Sequence, residues 1–448
     1  MPIGKIEIPA IGNEVVIVML VVPHILIAAF IIGIVLIAAT SEYVGVLTKQ
    51  PKYDRFGHNV AKFTVQLFAT GSALAITFVL VLITLYPVFW SYMQNIFFWV
   101  LLAEAFMFVG EILILYAWYV SWEKLAYRKR LHVVLGFVVS LLFLGQMTFI
   151  DVVGSYMMTP TEGVPPTDVG WTFLNPTYMP LNMHRFVGNI SYAGFLIAGW
   201  AAWRYLRSTG EGDREYYDWL GHWGLMWGFG FLLLQPIVGF GYLKEIREHN
   251  DAAFTYLMLG DKSWLFNLLM IWLGIMSVAS VAYCLHKLKF AVRSMPTLRN
   301  MTMGALGFMT IFSLLNVIPS DGDLVPQIGL VLFGGKETKF VLGGMYPWKY
   351  IGLIGLMLVG IFVLGLYLKA ATGGGFRWGR ASRWSQYALM ITAVTVVLTM
   401  MTMGYARETA RRATDPDGSG GSLINGCITL DQKIVPEGCG PAESRPSP

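Results

Sequence analysis

Residues 93–121 read MQNIFFWVLLAEAFMFVGEILILYAWYVS, a run without lysine or arginine in which two carboxylates, Glu104 and Glu111, stand among mostly apolar and aromatic side chains. A helix needs roughly 20 mainly apolar residues to cross the hydrocarbon core of a bilayer, and in lipid only a helix or a closed barrel satisfies every backbone group. This run is long enough. Segments of the same kind lie near 14–42, 58–87, 132–157, 182–206, 217–243, 264–288, 300–319, 347–369 and 384–406. Together they predict ten spans and an all-α fold, a polytopic transmembrane helix bundle. Composition agrees: 56% of the 448 residues are hydrophobic and 13% are charged, more apolar surface than a soluble domain of this length can bury. The first stretch carries Glu14, Pro23 and His24 and runs longer than a signal-peptide core, so it is expected to stay in the mature protein.

The net charge of +5 does not point to nucleic acid, because the basic residues lie in short runs between apolar stretches. Lys49, Lys52 and Arg55 follow the first span, Lys124, Arg128, Lys129 and Arg130 the third, and Arg204, Arg207 and Arg214 the fifth. Lys287, Lys289, Arg293 and Arg299 follow the seventh, and Lys369, Arg377, Arg380 and Arg383 the ninth, whereas 88–93 and 155–181 have no Lys or Arg. Since cytoplasmic loops are the basic ones, both termini are expected to face outward. Lys244, Arg247, Lys336 and Lys339 lie in the opposite loops and weaken that bias without reversing it. The Pro/Gly-bearing segments 158–181 and 320–346 are expected to form short re-entrant or interfacial elements on the outer side.

Residues 1–412 thus form the bundle, and 413–448 a Gly/Pro-rich extracytoplasmic tail, extended or docked on a partner. Cys284 lies in an apolar segment, and Cys427 and Cys439 lie in the tail. An oxidising exterior would let the tail pair close a short disulfide loop, and no CxxC or CxxCH motif marks a metal or covalent haem site.

Ionisable groups inside spans cost several kcal/mol unless they are paired, enclosed or functional. On the orientation above, His24, Glu104, Glu111, His184 and Glu408 all fall toward the outer half of the membrane. Glu104 and Glu111 are two helical turns apart, which puts both carboxylates on one helix face at different depths. That suits a proton relay, or a ligand above a proton donor; hydrogen bonding between helices is the plainer alternative. His24 lies about two turns inside its span, deeper than an interfacial residue, whereas His58, His132, His222 and His286 read as residues at the cytoplasmic edge. Glu408 and Arg411 would, as a simple surface pair, contribute only a few tenths of a kcal/mol. Lys62 and Asp151 read as snorkelling or capping residues. Imidazole is a common axial ligand of haem iron and methionine a common second one, and carboxylates nearby would supply protons for reduction chemistry.

At these residues the chain resembles subunit I of the cytochrome bd-type quinol oxidases. The resemblance is carried by His24 in span one, LLAEAFMFVGEI in span three, IDVVGSYMMTP followed by FLNPTYMPLNMHRFVGNISYAGF, and MGYARETAR at the end of span ten, four motifs in the family order. It implies His24 as an axial ligand of one haem of a closely spaced high-spin b and d pair, and Glu408 serving the other, with Arg411 near its propionates. Glu104 and Glu111 would belong to the ligand and proton path, and His184 would hold a low-spin haem b. The implied function is a haem subunit of a bd-like respiratory oxidase in a prokaryotic cytoplasmic membrane, passing electrons from quinol or an extracytoplasmic carrier to oxygen. Its partner would be a second polytopic subunit, of subunit II type or a second chain of this type.

The chain also departs from the family. Ile351 stands where the family has the methionine ligand of its low-spin haem, next to Lys349, leaving Met345 and Met357 as substitutes. Gly404 replaces a tryptophan one turn before Glu408. Lys244, Glu245, Arg247 and Glu248 open only a short polar loop where the family has its long quinol-binding one, and the tail is expected to stand in place of the family's final helix. A membrane cytochrome b that relays electrons without reducing oxygen, and a transporter or scaffold without haem, are the alternatives.

Overall fold

The computed structural model describes residues 8, 12–160, 173–258, 260, 262–318, 347–373, 375–412, 422–424, 428–429 and 432–433. All ten predicted spans are helical. They are α1 (Asn13–Thr48), α2 (Pro51–Leu85), α3 (Pro87–Val120), α4 (Lys129–Met158), α5 (Tyr178–Arg207), α6 (Glu211–Leu232) continued by α7 (Gln235–His249), α9 (Ser263–Lys287), α10 (Pro296–Val317), α11 (Pro347–Gly373) and α12 (Arg383–Arg412). A short α8 (Asp251–Met258) lies between the sixth and seventh. Prolines punctuate the starts: α2, α3, α7 and α10 each have Pro within their first two positions, where the missing N–H has no intrahelical partner to lose.

Among the described residues nine helical segments are long and apolar enough to cross a membrane, with α6 and α7 counted as one. The tenth, α5, is long enough but carries Asn182, His184, Arg185, Asn189 and Arg204. It tolerates them because it is surrounded by protein: α1, α4, α6, α7 and α12 all pack against it. Its contact with α6 is close because both helices present glycine. A Cβ on Gly224 would lie 2.6 Å from the Ala198 nitrogen and 2.8 Å from the Gly194 oxygen. Small residues that let backbones approach are the usual device of helix packing in membranes, where lipid removes the hydrophobic drive between helices. Two apolar clusters share α5 and α6: one extends over α1, α2 and α4, the other over α9, α11 and α12.

Two polar networks near the helix ends expected to be cytoplasmic change the reading of residues there. His132 is not an edge residue. Its side chain is fully enclosed, with Nδ1 2.5 Å from Glu42 Oε1 and Nε2 2.9 Å from the Trp118 carbonyl, while Lys129 bridges Glu42 and Asp54 at 3.2 and 2.6 Å. Lys287, which reads as a loop charge in the sequence, is equally enclosed and lies 2.6 Å from Asp218. His222 contacts the Tyr367 hydroxyl at 3.0 Å, whereas His58, stacked on Trp122 at 5.0 Å, is only partly buried.

The described part of the tail folds back on the bundle. β1 (Ser422–Ile424) and β2 (Ile428–Thr429) pair antiparallel, and Leu423, Ile424 and Ile428 bury themselves against Phe89, Tyr92, Phe97 and Tyr156. Gln432 pins this hairpin by donating to the Leu85 carbonyl and accepting from the Val88 N–H, both at 3.2 Å. Cys427, Cys439, Lys336, Lys339, Met345 and most of the expected re-entrant segments lie outside the described residues.

Candidate functional site

His24, Glu104, Glu111, His184, Glu408 and Arg411 all line one cavity of about 1,910 Å³, open on one side of the bundle and lined by helices from α1 to α12. Ordinary small-molecule pockets measure roughly 300–1,000 Å³, so this space is large enough for more than one bulky ligand. Its walls are mainly aliphatic, aromatic and methionine side chains. The polar groups are few and grouped.

His24 follows Pro23 in α1, and its Nδ1 lies 3.1 Å from the Gly71 carbonyl on α2. A carbonyl only accepts, so Nδ1 carries the proton in this bond and Nε2 keeps its lone pair. A ligating imidazole is commonly held this way by its other nitrogen. Gly71 permits the approach: a Cβ there would lie 2.9 Å from Ile27 Cγ2.

Glu104 and Glu111 share one face of α3, as their spacing predicts. Glu111 is 1% exposed. With its amide nitrogen turned toward Glu111, Gln146 of α4 donates to both carboxylate oxygens, at 2.5 and 2.6 Å. Glu104 is less enclosed and lines the cavity one level away.

His184 comes from α5. The preceding Asn-Pro motif positions this helix: Asn175 accepts from the Thr177 N–H at 3.1 Å and from the Thr159 hydroxyl at 2.9 Å, and donates to the Thr159 carbonyl, joining the end of α4 to the start of α5. The His184 ring lies over Tyr242 at 6.0 Å, its Nε2 is 3.3 Å from Met403 Sδ, and its enclosed Nδ1 has no hydrogen-bond partner. Ile351 is 48% exposed and does not line the cavity, whereas Met357 does. Lys349 is enclosed and donates to Asn267 and to the Asn316 carbonyl, both at 2.6 Å.

Asp151 neither snorkels nor caps. Its side chain is fully enclosed, ion-paired with Arg185 and hydrogen-bonded by Asn182 at 3.1 Å. Arg407 lies in the same region, donating to the Gly154 carbonyl at 2.6 Å and toward the Tyr242 hydroxyl at 3.3 Å. The sequence contained a signal for this group, opposite charges placed inside neighbouring spans, which charged residues in lipid need for compensation.

Glu408 is more than half of a surface pair. Arg411 holds it in a forked contact, Arg412 donates to it at 3.0 Å, and Arg412 also reaches Glu14 at 2.8 Å. Arg411 is 5% exposed and also donates to the Leu423 carbonyl of the tail hairpin. Four arginines, Arg185, Arg407, Arg411 and Arg412, therefore line the cavity, and their planar forks suit carboxylates.

This donor set fits haem: one imidazole with a free nitrogen, a second against a thioether, arginines for acidic side chains, and carboxylates for protons. One position is less free than the sequence suggests. Both oxygens of Glu408 are engaged by arginine, Oε2 by Arg411 alone and Oε1 by Arg411 and Arg412, so Oε2 keeps the greater free capacity to reach iron.

The family model described as cytochrome bd terminal oxidase subunit I matches residues 15–258, more than half of the chain and the part that holds His24, Glu104, Glu111 and His184. Among solved structures, a chain of the bd oxidase from Geobacillus thermodenitrificans has a similar fold. The TM-score is 0.52 at 15% identity, covering 88% of this chain and 96% of that chain. No curated protein matches.

Proposed function

Because the chain belongs to the cytochrome bd terminal oxidase subunit I family, a family of multi-pass membrane oxidoreductases, we propose that it is the haem-binding subunit of a bd-like respiratory oxidase in a prokaryotic cytoplasmic membrane. The observation that supports this most is the convergence of His24, Glu104, Glu111, His184, Glu408 and Arg411, drawn from four helices, on one cavity. His24 and His184 would hold haem iron, with Glu408 at a further iron, and haem b and haem d are the types the family implies. Bound haem supplies the one-electron chemistry and the site where oxygen becomes water. The Gly71 carbonyl orients the His24 ring. Arg411 and Arg412 would hold acidic haem substituents, and Glu104 and Glu111 would carry protons. Electrons would come from quinol or an extracytoplasmic carrier, and a second polytopic subunit would complete the complex.

The test is an optical spectrum with pyridine haemochrome analysis of the purified complex, together with quinol-driven oxygen uptake. Haem and oxygen uptake are expected, and a His24→Ala variant should lose one haem signal while the His184-dependent signal stays; a complete haem complement in that variant would remove His24 as a ligand. A second reading, electron relay without oxygen reduction, draws on Gly404 in place of the family's tryptophan and on the engagement of Glu408 by two arginines. Haem b alone, without oxygen uptake, would decide for it.

The orientation proposed for the bundle places the tail outside. A reporter active only beyond the cytoplasmic membrane, fused after Pro448, should be active, and a silent fusion would place the tail inside.

A further inference from the structure

We infer that Met403, five residues before Glu408 on α12, is the second axial ligand of the haem held by His184. The inference rests on the haem-binding reading above and names the ligand that the sequence leaves open. Met403 Sδ and His184 Nε2 face each other at 3.3 Å across the cavity, contributed by helices that are far apart in sequence. No hydrogen-bonding need brings them together, because a thioether is a weak acceptor and the imidazole gains little from it.

Space around the pair supports the same conclusion. Gly404 follows Met403, and a Cβ there would meet nothing within 4 Å. Gly239 stands on the other side, where a Cβ would come no closer than 3.6 Å to the imidazole. Room is therefore left beside both donors.

An ion held by both donors would require the two side chains to part from their present contact, which an unbranched methionine accommodates by rotation about its own bonds. Of the alternatives among the described residues, Ile351 has no sulfur and does not line the cavity, and Met357 lines the cavity without a hydrogen-bonding contact to His184.

The experiment is spin-state spectroscopy of the purified complex, with haem content measured in parallel. In unaltered protein the His184 haem should be low-spin and show the iron–thioether charge-transfer band. Met403→Leu should convert that haem to high-spin with haem content unchanged, and Met403→His should restore a low-spin spectrum without the thioether band. Met357→Leu should change nothing. A low-spin thioether spectrum that survives Met403→Leu, or is lost in Met357→Leu, overturns the assignment. If Met403→Leu loses its haem altogether, Met403→His decides: recovery of a low-spin haem supports ligation, and continued loss overturns it. Absence of haem from the unaltered complex would instead remove the haem-binding reading itself.

Discussion

A Glu111→Gln variant is expected to keep its haem spectrum and lose oxygen-reducing turnover by about 10²–10⁴-fold, the range a positioned proton-transfer group contributes. The substitution keeps the shape of the side chain and removes its ability to carry a proton. Glu111 is the deepest-set of the candidate carboxylates on α3, at 1% exposure, and it faces the donating amide of Gln146 at 2.5 and 2.6 Å. In the variant one of those two contacts becomes donor against donor, so Gln146 must turn. That local rearrangement is common to any structural role, and the discriminating measurement is therefore turnover set against haem content. Turnover equal to that of the unaltered protein would remove Glu111 from the proton path. Loss of haem together with turnover would assign it a structural part instead.

The second large effect lies in stability. Replacing Lys287 by methionine should destabilise the folded bundle by about 3–5 kcal/mol, the usual result of leaving one member of a buried ion pair without its partner. Both side chains of the Lys287–Asp218 pair are fully enclosed, with Nζ 2.6 Å from Asp218 Oδ2. The same oxygen accepts from the Gly379 N–H at 2.9 Å, and Oδ1 has no partner. Without the ammonium the carboxylate has one backbone donor and no counter-charge. A combined Lys287→Met and Asp218→Asn change should recover most of the loss, since a paired buried charge is often replaceable by a neutral group at little cost. The check is thermal unfolding of the detergent-purified complex. An unchanged midpoint for the single variant would mean that water or another group reaches Asp218.

The same pair marks the limit of what was legible. Lys287 ends an apolar segment and is followed by Lys289 and Arg293, so by sequence it is one of a run of loop charges. Only the packing of α9 against α6 puts it beside Asp218. The sequence reads His132 and Asp151 as edge and capping residues for the same reason. Each sits near the end of a span, where an exposed polar residue is the ordinary case, and each is enclosed by partners on another helix. Methionine gives the sharpest instance. It occurs 23 times, so no local pattern separates Met403 from Met345 or Met357.

What the amino-acid sequence determined by itself was the number and course of the spans, because hydropathy is local and a span must satisfy its backbone within its own length. It also identified most of the site: ionisable residues in lipid stand out singly, and His24, Glu104, Glu111, His184 and Glu408 could be picked one at a time. Their convergence on one cavity, and the partners Gly71, Gln146, Met403 and Arg185, were decided by tertiary structure. Those are contacts between helices, set by which faces pack together and how closely glycines such as Gly71 and Gly224 let them approach, and periodicity along one chain does not carry that information.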